Sequence, residues 1–246
     1  MSADEDKYIR DYVQYSKLFA EGGKGNFEIK EENIFPCLTD YRNNAGDIDF
    51  HYFPMDILVS SLIAKSKVKE HFDIGSRIDG FISHLLVSEI EVTQMDIRPL
   101  MDIDLGCGIS RLRFIQADCT NLDGIDDNSI YSLSSLHAIE HFGLGRYGDN
   151  VEPNAWISAL KSLQRVLAVK GKLYLAVPIS NYERVCFNAH RVFNPNTIVS
   201  NLDQLSLVDF YYIQNMKINQ VCINEIDKCI QQLSGYDCGV FVFTKE

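Results

Sequence analysis

Between Val68 and Leu86 the chain spells out a strand that stops on a carboxylate, a turn on glycine and a helix. The run is Val68-Lys-Glu-His-Phe-Asp-Ile-Gly-Ser-Arg-Ile-Asp-Gly-Phe-Ile-Ser-His-Leu-Leu86. The strand ends at Asp73, the turn falls on Gly75 and the helix starts near Asp79. A turn of this kind leaves unpaired N–H groups at the helix N-terminus and lets a ligand approach the glycine backbone. That geometry suits a nucleotide. The rest of the chain reads as an α/β domain wound around the turn.

At 246 residues, 46% of them hydrophobic, the chain can bury one full α/β core and carry a helical extension. Residues 1–66 are expected to form a helical and irregular extension packed on the core, and residues 67–246 the ligand-binding domain. With 34 acids against 23 bases there is little scope for the large basic face that nucleic acid requires. The acidic start does not read as a signal peptide, and no run reaches the roughly 18 apolar residues of a membrane span. The seven cysteines are odd in number and never spaced Cys-x-x-Cys. This argues against a disulfide framework or zinc knuckle and for reduced thiols in a cytoplasm.

Apolar spacing predicts an amphipathic helix from about Asp4 to Ala20, either a lid or a brace, and a second helix from Pro54 to Ser66. Asn43-Asn-Ala-Gly46 reads as a turn. Strands are expected at 72–74, 91–96, 111–116, 129–133 and 172–178, with further strands at 205–214 and 239–244. Helices are expected at 79–87, 154–169 and 195–202, with a helical piece near 223–233. Gly171 is expected as the left-handed cap of the helix that ends at 169. Strands alternating with helices imply a mostly parallel sheet.

Asp102-Ile-Asp-Leu-Gly-Cys-Gly108 competes with Asp73-Ile-Gly75 as the ligand turn. The first turn should be followed by a helix and then by a strand ending in an acid about 20 residues on. From Asp73 this works, with Asp96 as the acid. From Asp104 only Ile109 to Arg113 separate the glycines from the next apolar run, too few for a crossover helix. Asp102 to Gly108 is therefore read as a surface connection. Gly-x-Gly-x-x-Gly is absent from the first turn, which argues against a hydride-transferring dinucleotide enzyme.

Asp73-x-Gly75, Asp96 at the end of strand two, Ala117-Asp118 after strand three, and Leu163 to Pro178 with its Lys170-Gly171 turn stand in order. Together they resemble class I S-adenosylmethionine-dependent methyltransferases. That resemblance, over about residues 68–244, implies a Rossmann-like fold: a mostly parallel seven-stranded sheet, helices on both faces and an antiparallel last strand. Ser132 to Asp149 and Phe187 to Phe193 further resemble a small group associated with bacterial surface-polysaccharide genes. The implied partner is a small carbohydrate-type acceptor. The implied activity is O-methylation of a sugar or of a nucleotide- or phosphoryl-linked sugar. Arg77 stands where such enzymes usually carry glycine, so a non-catalytic nucleotide-binding or scaffold protein of the same fold is the alternative.

Carried over by position, Asp73, Gly75 and Ser76 would line the methionine and ribose end of S-adenosylmethionine. Asp96 would bind the ribose hydroxyls, Ile97 would pack on the adenine, Asp118 and Cys119 would bind its edge, and Leu136 would border the site. The segment after strand four holds His137, Glu140 and His141. If that segment is helical, the two histidines share a face. Transfer to a hydroxyl needs a base near neutral pH, so His141 is the first candidate and His137 the second. Glu140 beside them would orient an imidazole and raise its basicity. Two histidines with Asp149 or Glu140 also invite a metal reading, but no metal is expected. Arg146 and Tyr147, within the glycines 143, 145 and 148, and Asp149 are candidate acceptor contacts, with Arg146 suited to an anionic group. Asn188, His190 and Arg191 either bind acceptor or staple a loop.

Overall fold

In the computed structural model residues 2–38, 48–100 and 111–246 are described. Both Asn43-Asn-Ala-Gly46 and the competing turn Asp102 to Gly108 lie outside them. By internal contacts the chain divides into residues 1–48 and residues 49–246.

The first unit is built on α1 (Ala3–Gly22). Ser2 caps it reciprocally: its Oγ accepts from Glu5 N at 3.2 Å, and Glu5 Oε2 accepts from Ser2 N at 2.6 Å. Two of the orphan donors at a helix start are satisfied this way. The Tyr15 hydroxyl donates to Phe27 O at 2.8 Å and ties the following segment back.

The second unit has an eight-stranded sheet. Its strands are β1 (Glu70–Ile74), β2 (Glu91–Asp96), β3 (Leu112–Gln116), β4 (Ile130–Leu136), β5 (Leu167–Ile179), β8 (Ser206–Gln214), β9 (Lys217–Val221) and β10 (Asp237–Thr244). The order is β3-β2-β1-β4-β5-β10-β8-β9. The first five run parallel, and β10 is antiparallel to both its neighbours. A separate hairpin pairs β6 (Arg184–Cys186) with β7 (His190–Val192).

Seven strands were expected, and β9 is the eighth. It follows β8 through Asn215 and Met216, both at positive φ (50° and 63°), the backbone of a two-residue hairpin turn. Without the usual glycine in that turn, the hairpin leaves little trace in the sequence.

The strand period of two sorts the core into two layers. Leu173, Leu175, Val177 and Ile179 of β5 face α4 (Ala155–Val166), α5 (Pro195–Asn201) and α6 (Ile226–Ile230). Tyr174 and Ala176 face the other layer, with α2 (Tyr52–Lys65) and α3 (Gly80–Val87). Helices therefore cover both faces. Among the described residues no helix is long and apolar enough to cross a membrane.

Gly171 does not cap α4. The helix ends at Val166, and the left-handed residue is Lys170 (φ 64°). Gly171 is where the chain passes close to its neighbours: a Cβ there would lie 2.8 Å from Ala168 O and 3.0 Å from Ile130 O. The segment after β4 is not an α-helix either. His137 turns at φ 52°, and Ile139–His141 form a single 3-10 turn. The two histidines are brought together by that tight turn and not by i,i+4 spacing.

Candidate functional site

The site is built at the carboxyl ends of the parallel strands, where β1 pairs on one side with β2 and on the other with β4. Chain direction reverses its winding at this pair, and crevices open there in such sheets. A cavity of about 370 Å³ is lined by Gly75 after β1, Asp96 and Ile97 after β2, and Asp118 and Cys119 after β3. His137, His141, Arg146, Tyr147 and Asp149 line it from the β4 side, and Tyr52 from α2.

Gly75 is required by this geometry. Its φ is +71°, and a Cβ would sit 2.9 Å from the Ala138 Cβ. The chain thus passes at van der Waals distance between the first and fourth strand ends, leaving the turn open toward the crevice. Asp79 caps the following helix by accepting from Gly80 N at 2.6 Å.

Asp73 is placed differently from the other acids. Its carboxylate is fully buried and accepts from the Ser76 hydroxyl at 2.6 Å, the Ser76 N–H at 3.1 Å and the Ser134 hydroxyl. Ser134 in turn meets His71 Nε2 at 2.8 Å, and His71 Nδ1 meets Ser132 at 2.7 Å. Burial pushes Asp73 up to about 6, against the pull of its three hydrogen bonds, and pushes His71 down to about 3. Asp73 and Ser76 therefore fix the turn from below. Leu136 lies in the core layer with α2 and α3, and only its N–H, 3.3 Å from Ser76 Oγ, meets the turn.

Asp96 and Asp118 reach the crevice by different means. Asp118 accepts from Thr120 N at 2.8 Å. Asp96 is gripped by Arg98 through Nε at 2.9 Å and Nη2 at 2.6 Å. The Arg98 guanidinium lies 4.3 Å from the Tyr147 ring centre, and Arg146 lies 5.0 Å from the same ring. Arg77 pairs with Asp79 at 2.7 Å and lies over the Tyr52 ring at 5.0 Å. Burial pushes the Cys119 thiol up to about 12, so the cysteine is no nucleophile.

The two histidines are differentiated by their neighbours. His137 is buried, with Nδ1 2.8 Å from Glu140 Oε1. Burial alone would depress it, but the Cys238 sulfur and the Glu140 carboxylate outweigh burial and raise it well above the ordinary histidine value. His141 is depressed by burial, by Arg146 and by His137, against the opposing pull of Glu140. Its Nδ1 lies 2.6 Å from Ala189 O. A carbonyl only accepts, so Nδ1 carries the proton and Nε2 the lone pair; Arg146 Nη1, 3.3 Å from Nδ1, donates to Ala189 O at the shorter 2.9 Å. Nε2 is 3.8 Å from Glu140 Oε1. A neutral imidazole with one fixed tautomer and a nearby carboxylate is equipped to take a proton.

Other predicted contacts serve the loop. Asp149 accepts from Gly143 N (2.8 Å), Gly145 N (3.3 Å) and Tyr147 N (3.2 Å), folding the glycine turn around Tyr147. Arg191 donates to Phe142 O at 2.6 Å and Pro153 O at 3.1 Å, which makes it a staple. Asn188 is exposed and lines neither this crevice nor the chamber beside it. His190 lines that chamber, of about 700 Å³, which shares Tyr52, His137, His141, Arg146 and Tyr147 with the crevice. Sequence reasoning missed Tyr52, Arg98, His51 and Tyr236. Arg98 is two residues past a strand-end acid, the only local sign it offers.

Among the described residues no three His, Cys, Asp or Glu side chains converge as metal ligands.

The fold is that of class I S-adenosylmethionine-dependent methyltransferases. The structure is similar to the 1,6-didemethyltoxoflavin-N1-methyltransferase of Burkholderia thailandensis, solved with 1,6-didemethyltoxoflavin and S-adenosylhomocysteine bound. The TM-score is 0.54 and identity 14%, covering 100% of this chain and 91% of that one. It is similar to the N-methyltransferase NodS of Bradyrhizobium japonicum in complex with S-adenosylhomocysteine, with TM-score 0.51 and 16% identity over 78% of this chain and 85% of that one. The [4+2]-cyclase SpnF is also similar, with TM-score 0.54 and 12% identity over 77% and 81%. A family model described as "Caenorhabditis protein of unknown function, DUF268" matches residues 125–232, less than half of the chain. No curated protein sequence matches.

Proposed function

We propose that this protein is an S-adenosylmethionine-dependent methyltransferase acting on a hydroxyl of a sugar or sugar-linked acceptor. The observation that carries this reading is the meeting of two cavities at His141. One is a strand-end crevice with Gly75, Asp96 and Asp118 on its rim, and the other a wider chamber beyond the imidazole.

The crevice residues fit an adenosyl ligand. Gly75 leaves its backbone open to close approach, Asp96 is a bidentate acceptor for a pair of vicinal hydroxyls, and Asp118 stands at the neighbouring strand end. Ile97 supplies apolar surface beside them. S-adenosylmethionine supplies an electrophilic methyl group on a sulfonium. His141 accepts the acceptor hydroxyl's proton at Nε2, and Glu140 stabilises the resulting imidazolium from 3.8 Å. His137 positions Glu140, and Asp149 holds the loop that carries Tyr147. Two of the similar structures are methyltransferases solved with S-adenosylhomocysteine. The suggestion of a sugar acceptor comes from the segments at 132–149 and 187–193, which resemble the polysaccharide-associated group.

A second reading, a non-catalytic binding protein of this fold, is favoured by Arg98, which holds both oxygens of Asp96, and by Arg77 in the turn. The similar cyclase is a reminder that function belongs to the site and not to the fold. Incubation with S-adenosylmethionine and a panel of glycosides, reading S-adenosylhomocysteine release, separates the two. The first reading predicts acceptor-dependent release that His141→Ala removes. The second predicts cofactor binding without release.

A further inference from the structure

Four of the six histidines of the chain, His51, His137, His141 and His190, line the chamber beside the crevice. The rings of His137, His51 and His190 form a continuous column with Tyr236. His137 and His51 stack at 5.5 Å and 10°, His51 and Tyr236 at 5.0 Å and 22°, and Tyr236 meets His190 at 5.1 Å and 42°. The residues come from segments near 51, 137, 190 and 236, so no local pattern announces the column.

The groups on this wall are mostly neutral. Burial lowers His51, His141 and His190, and burial raises the Tyr52 and Tyr236 hydroxyls. Each of them both donates and accepts hydrogen bonds. The carboxylates nearby are partly spoken for. Asp237 accepts from Ser234 and Gln214, and Asp49 accepts from His51 N and Tyr52 N. Glu140 differs. It is 1% exposed, its Oε1 is held by His137, and its Oε2 has no partner among the described residues. A buried carboxylate oxygen left without a donor is costly, and folded proteins rarely leave one so.

We propose that this chamber is the acceptor site and that it takes an uncharged polyhydroxylated ring. The apolar side of the ring lies along the edge of the His51–Tyr236 stack, and one of its hydroxyls donates to Glu140 Oε2. The inference rests on the methyltransferase reading for the role of His141 at the junction. The ligand class rests on the chamber alone. Aromatic surface with closely spaced neutral donors and acceptors matches a sugar ring. A phosphate would face Asp49, Glu140 and Asp237 with Arg146 as its one arginine partner, and His137 is already paired with Glu140, so an anionic group is disfavoured here.

Saturation-transfer NMR with methyl glycosides of neutral hexoses and with the matching hexose 1-phosphates tests this, using the full chain with S-adenosylhomocysteine present. At least one neutral glycoside should bind, the phosphates should bind at least tenfold more weakly, and Tyr236→Leu and Glu140→Ala should each weaken glycoside binding tenfold or more. Tyr236→Phe, which keeps the stack, should stay within about threefold. No binding by any neutral glycoside, preference for the phosphates, or binding unchanged in both the Leu and Ala variants would overturn the proposal. Calorimetry with S-adenosylhomocysteine on the same samples keeps the two readings apart. Loss of cofactor binding alone strikes the methyltransferase reading, and loss of glycoside binding alone strikes the chamber.

Discussion

Arg98 holds Asp96 at two points, Nε to Oδ1 at 2.9 Å and Nη2 to Oδ2 at 2.6 Å, and rests its guanidinium 4.3 Å from the ring centre of Tyr147. The carboxylate proposed to bind ribose is thus already engaged. A ligand that takes both oxygens must displace a half-exposed arginine from a carboxylate whose side chain is only 11% exposed. Arg98→Ala should therefore strengthen S-adenosylhomocysteine binding by roughly threefold to tenfold, read by calorimetry. A loss of affinity on removing the guanidinium would mean that Arg98 itself binds the ligand.

The pH profile distinguishes the two histidines. Cys238 and Glu140 hold His137 well above the ordinary histidine value against burial, and burial holds His141 below it. A base must be deprotonated to act. The acid limb of kcat/KM for methyl transfer should then lie below pH 6.5, and activity should be flat through neutrality. His141→Ala should lower kcat by about a hundredfold or more and remove that limb. A limb well above pH 7 would transfer the role to another group.

Under the crevice, the depressed pKa of His71 makes stability depend on pH. Its folded value is about 3 against an unfolded value near 6.5. The unfolded chain binds the proton first, so this contribution is intact above pH 6.5 and is lost as pH falls toward 3. Asp73 has the opposite sign, since its folded value of about 6 is raised. What it contributes is fully present below its unfolded value near 4 and is lost as pH rises through 6. Comparing wild type with His71→Gln cancels Asp73 to first order. Between pH 6.5 and 4.5 the wild type should lose about 2–3 kcal/mol more than the variant in urea unfolding.

Two glycines carry the site's backbone. Gly75→Ala places a Cβ 2.9 Å from the Ala138 Cβ at φ +71°, and should cost about 1–3 kcal/mol. Gly143→Ala is worse, because its Cβ would lie 1.9 Å from the Glu152 carbonyl oxygen at φ +74°. It should also release the 143–149 loop from Asp149. Thermal unfolding should rank Gly143→Ala well below Gly75→Ala, and both below wild type.

The strand, glycine turn and helix at 70–87 were readable because apolar spacing, a strand-end acid and an N-capping Asp79 agree locally. The same holds for α4 and its amphipathic stripe. The hairpin of β8 and β9 was not readable, because Asn215 and Met216 adopt its turn without glycine. Nor was the β6–β7 hairpin, whose Ala189 carbonyl fixes the tautomer of His141 from 48 positions away. Gly171 was misread because a close approach and a left-handed turn both call for glycine, and Lys170 makes the turn. The histidine column depends entirely on tertiary convergence. His51 and Tyr236 lie far apart in sequence near turns, and only the folded sheet sets them beside His137.

The account turns on whether the rim of Gly75, Asp96 and Asp118 holds an adenosyl group, and titration calorimetry with S-adenosylhomocysteine asks this directly. Wild-type protein should bind one equivalent, and Asp96→Ala should bind at least about tenfold more weakly through loss of the bidentate acceptor. No binding by folded wild-type protein, or equal affinity in the Asp96→Ala variant, would contradict it.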